Sequence, residues 1–191
     1  MTIDTTSQAF FEDMYRNDAD PWDFASSQYE RRRYEIILRA LEGKHFRHAF
    51  EPGCSVGVLT RQLSKLCSRI DAIDISPTAA KIAQDRCHEC PNIYITCDSL
   101  AHPISGDIFD LVVFSEIGYY FEEQTLRDIL WTLVARMEPK GTMLASHWLG
   151  SSSDHILRGD RVHEIIAEVD GLSHIHGTRY ADFRLDLWSR V

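Results

Sequence analysis

Positive charge is in short supply in this 191-residue chain: 20 Lys and Arg stand against 29 Asp and Glu, for a formal net charge of -9 at pH 7. That deficit disfavours tight, sequence-blind binding to DNA or RNA, which draws on cations that neutralise phosphates. The one basic cluster, Arg31, Arg32 and Arg33, is short. Long apolar runs are also missing, so no bilayer-spanning segment is expected. The start, MTIDTTSQAFFEDMYRNDADPWDF, has no basic stretch followed by an apolar core, and a cytoplasmic protein is expected. Cysteines number five, an odd count that suggests reduced thiols rather than a disulfide framework. Cys87-His88-Glu89-Cys90 reads as C-x-x-C, but without a second Cys or His pair at zinc spacing it reads as incidental, and no metal is expected. No repeat or low-complexity segment is visible. What remains is an ordinary globular composition, 44% hydrophobic and 26% charged, long enough for one domain with a substantial core.

Apolar spacing divides the chain into a helical opening and an alternating remainder. Residues 7 to 17 set Phe10, Phe11, Met14 and Tyr15 on one helical face. DADPWDFASS interrupts with Pro21, and Ser27-Gln28-Tyr29-Glu30 offers an S-x-x-E capping box for a second helix to about Leu41. That helix turns Tyr34, Ile37, Leu38 and Leu41 inward. From residue 48, strand-like HAFEPG, RIDAIDI, NIYITCD, FDLVVFSE and GTMLASHW alternate with helices near Val58 to Cys67, Thr78 to Glu89 and Glu123 to Met137. The alternation predicts a doubly wound α/β sheet, with Val112, Val113 and Phe114 in a strand buried on both faces. After a helix over 160 to 169, LSHIHGTRY and FRLDLWSR are separated only by Ala181 and Asp182. That gap is too short for a crossover, so the pair should be antiparallel at one edge.

In such sheets ligands bind beyond the carboxyl ends of the strands, which directs attention to EPGCSVG, Glu51 to Gly57. A dinucleotide fingerprint needs G-x-G-x-x-G, and Ser55 breaks it. A P-loop fails because no G-K-[ST] follows. The stretch resembles instead the acidic-x-Gly-x-x-x-Gly turn of class I S-adenosylmethionine-dependent methyltransferases. Companions follow in order: Asp74 ends the second strand-like run, Asp98 the third, and FSEIGYYF ends the fourth. Asp also caps helices and fills turns, but four such features in sequence favour the cofactor reading.

The resemblance implies a Rossmann-like, seven-stranded, mostly parallel sheet with an antiparallel edge strand and helices on both faces, plus N-terminal helices. It implies one domain, with a helical cap over 1–47 and a core over 48–191 that binds S-adenosyl-L-methionine. Glu51, Gly53, Gly57, Asp74, Ile75, Asp98, Ser99 and Ser115 become cofactor-binding positions, with Asp74 on the ribose hydroxyls and Asp98 near the adenine.

FFEDMYRNDADPWDFASSQYERRRYEIILRAL, with its D-P-W-x-F, and the later SHWLGSSSDHILRGDRVHEII are similar to the nodulation protein S (NodS) family. Those are bacterial N-methyltransferases acting on the free amine of a partly deacetylated chitooligosaccharide. The resemblance implies an amino-sugar or oligosaccharide acceptor, no nucleic-acid or membrane partner, and Arg33 with Tyr29 beside it on the cofactor carboxylate. Arg31 and Arg32 should face solvent. A proton acceptor is needed because an ammonium has no lone pair; Glu116, His147 and His163 are the candidates, each with a structural alternative as a cap or core group. Tyr119, Tyr120 and Trp148 are candidate acceptor contacts. Trp22 is a fourth candidate acceptor contact, either folding over the site as a lid or anchoring the loop in the core. An O- or C-methyltransferase with the same cofactor site, or a binding module without turnover, are the competing readings.

Overall fold

The computed structural model describes residues 7–102 and 108–191. Residues 1–6 of the expected N-terminal cap lie outside the described residues. The chain divides into two compact units, Met1–Ser99 and Leu100–Val191, so the division falls inside the expected 48–191 core and not after the N-terminal helices.

The first unit holds α1 (Gln8–Asn17), α2 (Gln28–Ala40), β1 (Ala49–Pro52), α3 (Val58–Leu63), β2 (Ile70–Asp74), α4 (Pro77–Cys87) and β3 (Ile93–Cys97). Strands β1, β2 and β3 pair in parallel, and all four residues of β1 are buried, as a strand covered on both faces requires. Helix α1 begins where the Ser7 hydroxyl accepts the Phe10 N–H at 3.2 Å. At α2 the expected capping box does not form: Ser27 is the N-cap but its side chain makes no capping bond. The Glu30 carboxylate instead accepts from the buried Arg33 guanidinium, whose Nε lies at 3.0 Å. A charge-assisted bond away from water outcompetes a bond to an accessible backbone N–H. Arg31 and Arg32 are exposed as expected, and Arg33 is not.

The N-terminal helix is tied to the carboxyl end of β2. Gln8 donates to the Ile75 carbonyl at 3.0 Å. Glu12 accepts from Ser76 Oγ at 2.7 Å, Thr78 Oγ1 at 2.8 Å and Thr78 N at 3.1 Å, which places a carboxylate on the amino end of α4, where the helix dipole favours it. Burial raises the pKa of Glu12, but these hydrogen bonds, with one from Arg16, outweigh it and hold the carboxyl down to about 2. A value depressed on folding means that the tie is present above the ordinary carboxylate range and is lost as pH falls from about 4.5 through about 2. Glu12→Gln should therefore weaken α1 docking at neutral pH by about 1.5 kcal/mol. Hydrogen exchange of the α1 amides should accelerate roughly tenfold and lose its dependence on acid in this range.

The second unit holds β4 (Phe109–Ser115), a 3-10 turn (Gly118–Tyr120), α5 (Glu123–Ala135), β5 (Met137–Trp148), α6 (Gly159–Ala167), β6 (Leu172–Arg179) and β7 (Phe183–Arg190). Leu111 to Phe114 are wholly buried. Strand β5 starts earlier than the expected Gly141, because an irregularity between Phe109 and Leu111 absorbs the extra residues opposite β4; Lys140 takes φ 66° there. The hairpin across Ala181 and Asp182 closes with Tyr180 N donating to Phe183 O at 2.8 Å. Strand β7 runs antiparallel to both β5 and β6, so the expected antiparallel strand sits one place in from the edge, which β6 occupies. The seven strands form one sheet in the order β3-β2-β1-β4-β5-β7-β6. Among the described residues no helix is long and apolar enough to cross a membrane.

Candidate active site

The turn after β1 is built from left-handed backbone at three alternate positions: Gly53 at φ 72°, Ser55 at 50° and Gly57 at 76°. The N–H groups of Gly53 and Cys54 donate to Ile73 O at 2.8 and 2.9 Å, which fastens the turn to β2. Ser55 stands where a glycine would be free of strain, at a cost of order 1 kcal/mol. Two bonds offset it: Ser55 N donates to Asp74 Oδ2 at 2.8 Å, and Tyr15 Oη donates to Ser55 Oγ at 2.5 Å. Gly57 has a second requirement. A Cβ there would lie 2.9 Å from Ala83 Cβ and 3.0 Å from its Cα, so this glycine lets α4 approach the start of α3.

Asp74, buried at the end of β2, accepts Ser55 N on one oxygen and Ser76 N, at 2.9 Å, on the other. Burial pushes its carboxyl up to about 6 against the pull of those two N–H groups. Each oxygen keeps one further acceptor position. Glu51 is also buried, and burial pushes it up to about 7. Thr60 offsets part of that rise without meeting hydrogen-bond geometry, and among the described residues Glu51 Oε2 has no hydrogen-bond partner. Asp98 lies exposed just beyond β3; it accepts Ser99 N at 2.8 Å, and its own N–H donates to Asp74 O at 3.0 Å. Ile75 is partly buried, with its carbonyl held by Gln8. The structure thus gathers Gly53, Ser55, Asp74, Ile75 and Asp98 around the carboxyl ends of β1 to β3. Arg33, on α2 with Tyr29, pairs with Glu30 and lies 5.0 Å from the Tyr34 ring centre. Trp22 packs against Tyr15, at 5.5 Å and 68°, in a small cluster with Val56 and Ala79.

In the second unit Ser115 is buried at the end of β4, opposite Ser146. The next residue, Glu116, has φ 59°. Its Oε1 accepts Trp148 N and its Oε2 accepts Tyr119 Oη, both at 2.8 Å, so the carboxylate joins the end of β5 to the 3-10 turn. His147 and His163 are wholly buried. Gly118 N donates to His147 Nε2 at 3.1 Å, which fixes the proton of a neutral His147 on Nδ1. That proton points to His163 Nε2 at 3.2 Å, and His163 Nδ1 in turn donates to Asp186 Oδ2 at 2.6 Å. Burial pushes the His163 pKa down, with Asp186 opposing. Asp186 also accepts from His174 Nε2 at 3.0 Å and Arg184 Nε at 2.6 Å. Burial raises its carboxyl, but these donors outweigh it and hold it well below the usual range. The chain of rings ends on a backbone amide, so it fixes the position of Gly118 and leads no proton beyond it. Tyr119 and Tyr120 are buried edge to face, 5.0 Å apart at 72°.

A model of the family described as nodulation protein S (NodS) matches residues 7–169. The chain belongs to the nodulation protein S (NodS) family. A Nodulation protein S of Sinorhizobium fredii is 30% identical over 127 residues, 65% of this chain and 59% of that protein, so the chain spans less than two thirds of that relative's length. The crystal structure of the N-methyltransferase NodS from Bradyrhizobium japonicum in complex with S-adenosyl-l-homocysteine superposes with a TM-score of 0.85 at 24% identity, covering 98% of this chain and 99% of that one. A putative methyltransferase from Pseudomonas syringae is 34% identical, with a TM-score of 0.76 over 86% of this chain and all of that one. The sheet is that of a class I methyltransferase.

Four residues escaped the sequence reading: Glu12, the Tyr15 hydroxyl, His155 and Asp186. Asp186 left a signal, a lone acid inside the apolar alternation of FRLDLWSR. Nothing in local spacing marks the other three, whose partners lie far along the chain or in irregular backbone.

Proposed function

We propose that this NodS-family chain transfers a methyl group from S-adenosyl-L-methionine to the free amine of an amino sugar or a chitooligosaccharide-like acceptor. The observation that carries the reading is Asp74: a buried carboxylate clamped by two backbone N–H groups, with one acceptor position left on each oxygen. That pair suits two neighbouring ribose hydroxyls. The buried Glu51 oxygen without a partner among the described residues suits a cationic amino group, and the left-handed turn at Gly53 and Ser55 keeps side chains away from a close ligand. The residues present therefore fit the cofactor. Glu51, Gly53, Gly57, Asp74, Ile75, Asp98, Ser99 and Ser115 would hold it, with Tyr29 and Arg33 at its carboxylate. S-adenosylmethionine, when bound, supplies an electrophilic methyl group on a sulfonium sulfur.

On the acceptor side, Glu116 fixes Tyr119 and the end of β5, and His147 with His163 holds Gly118 at the head of the same turn. Of the expected acceptor contacts, Tyr119 and Tyr120 are buried and His155 covers the Tyr119 ring, which leaves the partly exposed Trp148 as the aromatic group for a sugar ring, while Trp22 supports the cofactor turn through Tyr15. Rate then follows from positioning an amine lone pair in line with the methyl group. Incubation with labelled cofactor and glucosamine oligomers should add one methyl mass where the non-reducing end carries a free amine, and none where every amine is acetylated. Equal labelling of the acetylated series would place the methyl on oxygen and overturn the amine reading.

A further inference from the structure

Deprotonating an ammonium requires a group with an accessible lone pair. Around the ends of β4 and β5, each Glu116 oxygen accepts one hydrogen bond, and those two bonds commit the carboxylate to holding Tyr119 and the end of β5. His147 and His163 are buried with both nitrogens of each ring engaged. His155 differs. Its ring nitrogens make no hydrogen bond to the described residues, and the residue is partly exposed.

The loop holds that ring in place. The imidazole stacks on Tyr119 at 3.8 Å and 17°, and meets Tyr120 at 5.2 Å and 85° and Trp148 at 6.0 Å and 83°. Ile156 N and Leu157 N both donate to Tyr119 O, at 2.8 and 3.0 Å, so the His155 segment is fastened to the turn that Glu116 orients. Such support from packing and backbone bonds is what a working side chain needs. Burial lowers its pKa, with Asp154 opposing, which leaves the ring neutral at pH 7. The other titratable groups facing this cluster are Tyr119, Tyr120, Glu116 and His147, whose ring meets Tyr119 at 5.5 Å.

We propose that His155 is the base that takes the acceptor's proton, an assignment that rests on the amine-methylation reading above. An ammonium N–H bond breaks as a ring N–H bond forms; the freed lone pair on the amine would form the new N–CH3 bond as the bond from that methyl to the sulfonium sulfur breaks, its electron pair staying on the sulfur of the departing S-adenosylhomocysteine, and the imidazolium returns its proton to water at its exposed edge. The product leaves as a methylated ammonium, so one proton is released per turnover.

The test is the pH profile of kcat/KM for the native protein, His155→Phe and His155→Asn, with a glucosamine oligomer as acceptor and binding of S-adenosylhomocysteine as the check on folding. Both variants should bind S-adenosylhomocysteine normally. Each should lose about 100- to 10,000-fold in kcat/KM at pH 7 and recover as pH rises toward the range where the amine arrives neutral. A merely structural ring would give a loss independent of pH. Native turnover with His155→Phe or His155→Asn following the native profile within about threefold overturns the role of His155 alone. No amine methylation by the native protein overturns the proposed function, and His155 as its base with it.

Discussion

Asp74→Ala is expected to weaken S-adenosylhomocysteine binding by at least about 100-fold. In the native protein the Asp74 carboxylate accepts Ser55 N and Ser76 N, and the remaining acceptor position on each oxygen is available to a ribose hydroxyl. Hydrogen bonds to a charged partner contribute about 1.5 to 3 kcal/mol each, so losing two at the ligand costs about 3 to 6 kcal/mol, more than two decades in Kd. The substitution also releases the left-handed Ser55 from one of its two restraints. Asp74→Asn, which keeps one carbonyl acceptor, should fall between the two. The pH dependence follows with opposite signs for binding and folding. Burial raises Asp74 to about 6, so its contribution to stability is fully present below the ordinary carboxylate range and is lost as pH rises through about 6. Ligand affinity runs the other way and weakens as pH falls through the same region. Calorimetry at pH 7.5 and pH 5 separates these effects; equal affinity for Asp74→Ala and the native protein would remove Asp74 from the ligand.

Glu116→Ala should lower kcat by about 100-fold while Glu116→Gln stays within about tenfold of the native enzyme. The alanine leaves Trp148 N and Tyr119 Oη without the acceptor they share, and the turn that carries Tyr119 and Tyr120 loses its fixed position. Glutamine restores both links: its carbonyl accepts Trp148 N, and its amide donates to Tyr119 Oη. A carboxylate that itself removed the amine proton would give the opposite pattern, with glutamine as inactive as alanine. Steady-state kinetics of the two variants distinguish them.

The elements were legible wherever pattern and burial agree. VVF in β4 reads as a strand covered on both faces because its side chains meet no water, and the two-residue gap at Ala181 and Asp182 forces a hairpin. Acids at the ends of β2 and β3 were legible in order after the glycine turn, and the structure places Asp74 at the end of β2 and Asp98 just beyond β3. Tertiary competition was not legible. The Ser27 to Glu30 box fails because the buried Arg33 claims Glu30, and the demand for Gly57 comes from Ala83, 26 positions away. His147 and His163 could be read as bases from sequence, since either is the right residue near the right strand. Only the three-dimensional chain from Gly118 to Asp186 shows that their nitrogens are engaged. His155 lies within the SHWLGSSSDHILRGDRVHEII stretch, but no spacing there singles it out; its place depends on a loop that folds back onto Tyr119.

The central claim is that the methyl group ends on nitrogen. NMR of the product formed with methyl-13C S-adenosylmethionine and a glucosamine oligomer bearing a free non-reducing-end amine tests it most directly. The account predicts a correlation from the new methyl protons to the sugar carbon that carries the amine; a correlation to a hydroxyl-bearing carbon would contradict it.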